Sequence, residues 1–208
     1  MKRQKEISDL DWVRLACSKD ISRYNLVEVY RDKNTLVATD GYRMHLSNSL
    51  PDMAPHYLSG LDAEFPDYTQ IMPKGPSVFL TLTSDLTEWL VQALTIADKM
   101  YTELSGKKYQ WGVTIRGTRH ENGTGTVSLN AKLNGFVLDC SHTSPGDGGV
   151  DVPFNVGLNP RYLLDVIKYG TVFTFASDHI NTKQMLSSVK IDICSTPRSA
   201  IVMPIRLS

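Results

Sequence analysis

Ser84-Asp85-Leu86-Thr87-Glu88-Trp89-Leu90-Val91-Gln92-Ala93-Leu94-Thr95-Ile96-Ala97 is the stretch around which the rest of the chain can be ordered. Ser84 and Asp85 are helix-capping residues, whose side-chain oxygens accept from the N–H groups a first turn leaves unpaired. Behind them Leu86, Trp89, Leu90, Ala93, Leu94 and Ala97 recur at the spacing of one helix face. The predicted helix therefore commits one face to a core. Its opening is echoed upstream by Ser8-Asp9-Leu10-Asp11-Trp12, which predicts a helix to about Lys19 with Leu10, Val13 and Cys17 on one stripe. A third helix opens at Asn159-Pro160, with Asn as cap and Pro at the first helical position. Tyr162, Leu163, Val166 and Ile167 form its apolar face, and Gly170 ends it.

Between these helices the pattern changes to short strands. Leu26 to Tyr30 and Thr35 to Ala38 flank the turn Arg31-Asp32-Lys33-Asn34 and predict a β-hairpin. Trp111 to Arg116, Thr126 to Leu133 and Gly135 to Cys140 predict a meander, with Leu133-Asn134-Gly135-Phe136 as a hairpin turn. Val172 to Ala176, Met185 to Cys194 and Ser199 to Leu207 close the chain as strands. Residues 47–64, rich in Ser, Pro, Asp and Gly, read as loop with one helical turn near His56 to Leu61, and Ser141 to Gly149 reads as a second loop. The chain is thus an α+β protein of three helix-plus-β-meander units, with helices on one face of antiparallel sheets.

The bulk composition sets limits. The 208 residues suffice for one large domain or two small ones, and the apolar share of 41% is that of an ordinary globular protein. No apolar run reaches the roughly 20 residues that span a bilayer, and the basic start at Met1 to Glu6 leads into no apolar stretch, so neither a membrane span nor a secretory leader is expected. Cys17, Cys140 and Cys194 are odd in number and far apart, which speaks against a disulfide framework or zinc site and for a cytoplasmic location. Lys plus Arg and Asp plus Glu are both 22, so any basic surface is local and balanced by acid elsewhere.

Catalytic chemistry has no foothold. The sequence holds no phosphate-binding loop, dinucleotide fingerprint, HExxH or GxSxG motif. His45, His56, His120, His142 and His179 lack ligand spacing, Asp40 and Asp67 have no identifiable acid–base partner, and Asn122-Gly123-Thr124-Gly125 lies between two strands as a plain hairpin turn. The chain is expected to be no enzyme and to need no cofactor or metal.

Three segments carry a resemblance. Leu36-Val37-Ala38-Thr39-Asp40-Gly41-Tyr42-Arg43-Met44 is similar to the strand ATDGHRL of bacterial DNA sliding clamps, the beta subunits of DNA polymerase III. Phe65-Pro66-Asp67-Tyr68-Thr69-Gln70-Ile71-Met72-Pro73 is similar to their FPDYRRVLP, and Ile201-Val202-Met203-Pro204-Ile205-Arg206-Leu207 to their VVMPMRL. Asn159 to Val166 also resembles the family's last helix. The order of the motifs, with the last at the chain end, makes the resemblance specific. It implies the DNA-clamp fold, with residues 76–208 as a complete C-terminal-like domain and residues 1–75 as a truncated middle-like domain. The family's N-terminal domain has no counterpart.

In the family these motifs build a hydrophobic groove for short linear motifs of polymerases and other partners. The resemblance carries that groove onto Thr39, Gly41, Tyr42, Arg43, Met44, Pro66, Gln70, Ile71, Val202, Met203, Pro204, Ile205 and Arg206. Met and Ile make an adaptable apolar surface for Leu or Phe anchors, Gly41 admits a close backbone, and Arg43 and Arg206 would orient carbonyls or carboxylates. Tyr42 replaces the usual His and Gln70 an Arg, which points to a shifted motif preference. The resemblance further implies sequence-independent contact with double-stranded DNA through Lys2, Arg3, Lys5, Arg14, Lys19, Arg23, Tyr24, Lys99, Arg161 and Lys168, with Asp11, Asp98 and Asp165 diluting the field.

Sliding clamps close a ring of about twelve helix-plus-strands units. The three units of this chain would complete it as a homotetramer, in preference to a tighter trimer. The expected function is therefore a processivity factor that assembles around DNA and tethers polymerase. The alternative is a clamp-derived adaptor that binds replication or transcription proteins without encircling DNA.

Overall fold

The computed structural model describes residues 7–105, 112–133, 136–144, 149–180, 183 and 187–206. In chain order the elements are α1 (Asp9–Arg14), β1 (Tyr30–Asp32), β2 (Thr35–Thr39), β3 (Arg43–Ser47), β4 (His56–Tyr57), a 3-10 turn (Tyr68–Ile71), β5 (Ser77–Leu82), α2 (Ser84–Ser105), β6 (Val113–Arg119), β7 (Gly125–Leu133), β8 (Phe136–Ser144), β9 (Phe154–Leu158), α3 (Pro160–Ile167), β10 (Phe173–Ser177), β11 (Val189–Ile193) and β12 (Arg198–Val202). They form an eight-stranded sheet, β4-β1-β2-β3-β12-β11-β10-β5, and a four-stranded sheet, β8-β7-β6-β9. Among the described residues every strand pairing is antiparallel, so the α+β architecture expected from the sequence is the one observed.

Helices α1 and α3 begin where their caps predict, whereas α2 already includes Ser84 and Asp85, read as its caps, and the Thr87 N–H donates back to the Thr83 carbonyl at 2.8 Å. Ser8 accepts from the Asp11 N–H at 3.1 Å, and Asn159 from the Arg161 N–H at 3.0 Å. The helix predicted to reach Lys19 ends at Arg14 instead. Beyond it the chain tightens into i→i−3 bonds from Ala16 and Cys17, and Ser18 donates to the Leu26 carbonyl at 2.8 Å, which pulls the backbone out of helix. The long helix outruns its predicted stripe: Tyr101 continues the buried face, and its hydroxyl donates to the Lys132 carbonyl of β7 at 2.6 Å.

Strand boundaries shift in two places. The first hairpin strand starts at Tyr30 rather than Leu26, with Lys33 at φ 55° completing the turn. The stretch near His56, read as a helical turn, is strand β4, held by Tyr57, whose hydroxyl donates to the Asn25 carbonyl at 2.8 Å. Ser141–Ser144, read as loop, complete β8. The predicted strand Ser199 to Leu207 is β12 up to Val202 only; Leu207 lies outside the described residues, as do Trp111, Asn134, Gly135 and Met185.

Strand alternation divides the larger sheet. Leu36, Ala38, Ala200 and Val202 face the main core, where they meet Trp12 and Val13 of α1, Leu86, Leu90 and Leu94 of α2, and Leu163, Val166 and Ile167 of α3. Val37, Met44, Leu46 and Ile201 face the other way, into a smaller cluster with Tyr57 and Phe65. The sheet runs without a break across residue 75, because β3 pairs with β12 through Met44↔Ile201 and Arg43↔Val202. That seam brings the three sequence motifs together.

Candidate functional site

The seam begins with a tight turn between β2 and β3. The Asp40 carboxylate accepts from the N–H groups of Tyr42 (2.9 Å) and Arg43 (3.0 Å). The Thr39 hydroxyl donates to the Arg43 carbonyl at 2.7 Å and accepts from Gly41 N–H at 3.0 Å. Gly41 has φ 88°, the left-handed region, and a Cβ there would stand 3.0 Å from Nη1 of Arg23. The turn lifts Tyr42 to the surface, where the Arg23 guanidinium lies 5.8 Å from its ring centroid and donates to the Asp40 carbonyl at 2.6 Å.

The floor and walls come from three distant stretches. Met44 and Ile201, paired across the seam, are fully buried below. Past the end of β12, the Met203 N–H donates to the Tyr42 carbonyl at 2.9 Å and keeps that side chain beside the turn. Pro66 to Ile71 form the opposite wall. Asp67 caps their 3-10 turn, accepting from Thr69 N–H at 3.1 Å. Tyr68 donates to Asp32 at 2.7 Å, and Phe65 stacks on Tyr30 with centroids 4.7 Å apart. Burial and the Asp32 carboxylate push the Tyr68 phenol up, so it stays protonated as this donor. Hydrogen bonds from Thr69 and Gln70 hold the Asp67 carboxyl below its ordinary range. The enclosed space is a groove of about 170 Å³.

Of the residues the sequence assigns to this groove, Thr39, Gly41, Tyr42, Arg43, Met44, Pro66, Ile71 and Met203 line it, joined by Leu26, Asp67, Tyr68 and Ile201. The others are placed elsewhere. Gln70 is exposed and donates to Asp67 at 3.0 Å. Val202 faces the main core, one residue out of phase with Ile201. Pro204, Ile205 and Arg206 leave the groove: the Ile205 N–H donates to the Gly157 carbonyl of β9 at 2.8 Å, drawing the chain to the other sheet. Ile201 could have been found from strand parity, since it shares a face with Met203. Leu26 carried no such mark, because it lies in an irregular loop.

Arg43 has a different task from the one its motif suggests. Its guanidinium points to the helix side of the sheet, 8% exposed. There it donates to the Asp40 carboxylate (3.2 Å), to Asp165 of α3 and to the Leu15 carbonyl after α1 (2.6 Å). It also lies 4.6 Å from the Tyr162 ring centroid. With its donors engaged there, it is not available to orient a peptide.

The basic residues expected to touch DNA are only partly free. Lys2, Arg3 and Lys5 lie outside the described residues. Arg14 pairs with Asp11 (3.4 Å), Arg161 with Asp98 (3.1 Å) and Lys168 with Asp165 (2.8 Å). Lys19, Lys99 and Tyr24 are exposed. Arg23, also expected at the DNA, donates to the Asp40 carbonyl of the turn at the groove rim. A wider hollow of about 390 Å³ between Arg14, Glu28 and Leu58 lies apart from the groove. Among the described residues no group of His, Cys, Asp and Glu could hold a metal ion, and no helix is long and apolar enough to cross a membrane.

No family model matches the chain. The beta sliding clamp of Salmonella typhimurium is 30% identical over 151 residues, which are 71% of this chain and 36% of that protein. The chain thus spans about a third of the curated relative it matches. Among solved structures, the DNA polymerase III beta subunit of Borrelia burgdorferi, in complex with a natural product, superposes with TM-score 0.74 at 14% identity, covering 96% of this chain and 62% of that one. The Helicobacter pylori beta clamp bound to a DNA ligase peptide superposes with TM-score 0.68 at 14% identity, covering 95% and 62%. These structures share the fold; with the alignment to the Salmonella protein and the ordered motifs at the β3–β12 seam, they place this chain in the DNA sliding clamp family.

Proposed function

We propose that this chain is a non-enzymatic, clamp-type platform that tethers polymerase or other partner proteins through the groove between Tyr42, Ile71 and Met203. The observation that carries this reading is the groove itself, an apolar floor of Met44 and Ile201 under a partly exposed rim. Such a surface takes the apolar anchors of an extended peptide. The Helicobacter pylori relative, solved with a ligase peptide, gives a probe of that kind. The double variant Ile71→Asp, Met203→Ala is expected to weaken a fluorescent peptide of this type at least tenfold, which is about 1.4 kcal/mol. Both side chains are at the surface, so the fold should persist. Unchanged anisotropy titrations in that variant would sink the groove assignment.

Two arrangements at DNA are compatible with this platform: a closed homotetrameric ring around a duplex, or an adaptor that does not encircle. One observation favours the adaptor. The helices and the Lys168 cap carry four bases (Arg14, Lys99, Arg161, Lys168) against seven acids (Asp9, Asp11, Asp85, Glu88, Asp98, Glu103, Asp165). A surface that grips phosphates is the reverse of this. Retention on nicked circular duplex, compared with the same DNA linearised, separates the two. Retention lost only on linearisation marks a ring, and no retention on either marks the adaptor.

A further inference from the structure

The groove wall from Pro66 to Ile71 runs into residues 72–76, which lead to β5 without helix or strand of their own. Such a stretch has few backbone partners of its own, so side chains from elsewhere in the chain hold it. Just past the end of β10, the Asp178 carboxylate accepts from the Lys74 N–H at 3.0 Å and from the Gly75 N–H at 2.8 Å, one on each oxygen. Just before β11, the Ser188 hydroxyl donates to the Ile71 carbonyl at 2.7 Å. The Ser188 carbonyl accepts in turn from the buried Ser177 hydroxyl at 3.0 Å. The bonds to the linker join residues 103 to 117 positions apart, so the fold makes them and local spacing does not.

Strand register connects this clasp to the groove. β10 pairs with β11 through Ala176↔Lys190, and β11 with β12 through Val189↔Val202. Carried one or two steps further, the same register sets Asp178, Ser188 and Met203 in one row at the end of three strands. That row carries one side of the groove rim, Met203, and through the linker it holds the other, Ile71. A backbone N–H bonded to a carboxylate is a charge-assisted bond, stronger than a neutral one. The Gly75 and Lys74 amides also keep the Asp178 carboxyl below its ordinary range, so it stays an acceptor near neutrality. Asp178 is not among the residues that line the groove. We propose that Asp178 is a positioning residue for partner binding: by fixing Lys74 and Gly75 it holds Ile71 opposite Met203, at the spacing an apolar anchor fills. The proposal rests on the groove reading above and adds to it a residue that lies in none of the three motifs. A wall ordered before binding raises affinity, because the partner no longer has to order it.

The test compares Asp178→Ala and Asp178→Asn with the parent chain, by anisotropy titration of the same fluorescent ligase-type peptide. Asp178→Ala should weaken the peptide by at least about threefold, since the wall must then be ordered on binding. Asp178→Asn keeps one acceptor oxygen in place and should recover part of that loss. Asp178 is exposed, so the urea midpoint of both variants should match the parent's, which separates positioning from loss of fold. Amide exchange at Met72, whose N–H donates to Thr69 inside the wall and not to Asp178, should quicken in Asp178→Ala. Parent-like peptide affinity in Asp178→Ala, or a loss that only follows a lowered urea midpoint, would overturn the inference and leave the groove standing. A parent chain that binds no peptide would remove the groove reading and this inference with it.

Discussion

Arg43→Ala is expected to lose about 3–5 kcal/mol of folding stability, the range for removing one partner of a buried ion pair. The side chain ties together the Asp40 turn, the end of α1 at Leu15 and α3 at Asp165. Its removal strands the Asp165 carboxylate against α3 with only Lys168 beside it, and leaves the Leu15 carbonyl short of a donor. Burial tends to raise the Asp165 pKa, yet its bonds to Lys168 and Arg43 outweigh that and hold it below the ordinary value. A depressed carboxylate contributes stability above its unfolded pKa, and that contribution is lost as pH falls through the folded one. The alanine variant should therefore lose part of the wild-type sensitivity to acid as well as stability near neutrality. For a chain of this size the loss corresponds to a fall in Tm of roughly 6–20 °C. Arg43→Lys should recover less than half of it, because one ammonium cannot reach two carboxylates and a carbonyl while stacking on Tyr162. A loss under about 1 kcal/mol in urea titrations would show that the surrounding groups rearrange without it.

How far the sequence reaches is visible at this same residue. Its motif gave the strand, the Asp40 turn and the neighbourhood of the groove, all of which depend on local spacing. It did not give the direction of the guanidinium, because that is set by the parity of β3 and by Asp165, which is 122 positions away. The helices were legible for a related reason: caps and a 3.6-residue period are local, and α2 and α3 start within a residue of their caps. Strands β5 and β9 had no such mark. Residues 77–82 follow a Gly-Pro step and alternate poorly, and they become strand through β10 and the residues near Gly149. The groove was thus readable as a set of motifs, while its limits were not. Pro204 to Arg206 belong to the motif but are drawn away by β9, and Leu26 belongs to the groove without a motif. The carboxylates that neutralise the helix bases, by contrast, were legible: Asp11, Asp98 and Asp165 stand on the same helices within reach of Arg14, Arg161 and Lys168, although the Arg161–Asp98 pairing joins two helices and no local spacing gives it.

Acidification is expected to destabilise the chain between about pH 6.5 and pH 4 through one residue, His45. The ring is fully buried and stacks on Trp12 with centroids 4.3 Å apart, and its Nδ1–H donates to the Trp12 carbonyl at 2.9 Å. Among the described residues neither His45 Nε2 nor Trp12 Nε1 has a partner, so a second proton on the imidazole would find no acceptor. Burial is the main force that takes its pKa from 6.5 down to about 4; the Trp12 carbonyl and Asp165 work against it, while Arg43 and Lys168 add to it. The sign follows from the proton count. Below its ordinary pKa the unfolded chain binds a proton that the folded chain refuses, so stability is complete above pH 6.5 and falls as pH drops towards 4. At full effect the displacement is worth about 3 kcal/mol. Carboxylates such as Asp9 and Asp165, held below their usual range, withdraw their own contributions at lower pH. His45→Phe keeps an aromatic ring against Trp12 and cannot titrate. Its urea midpoint should therefore stay nearly level from pH 7 to pH 5, where the parent chain's declines. Equal slopes in the two proteins would mean that α1 opens enough to hydrate the ring, and that the stack with Trp12 does not hold α1 closed over β3.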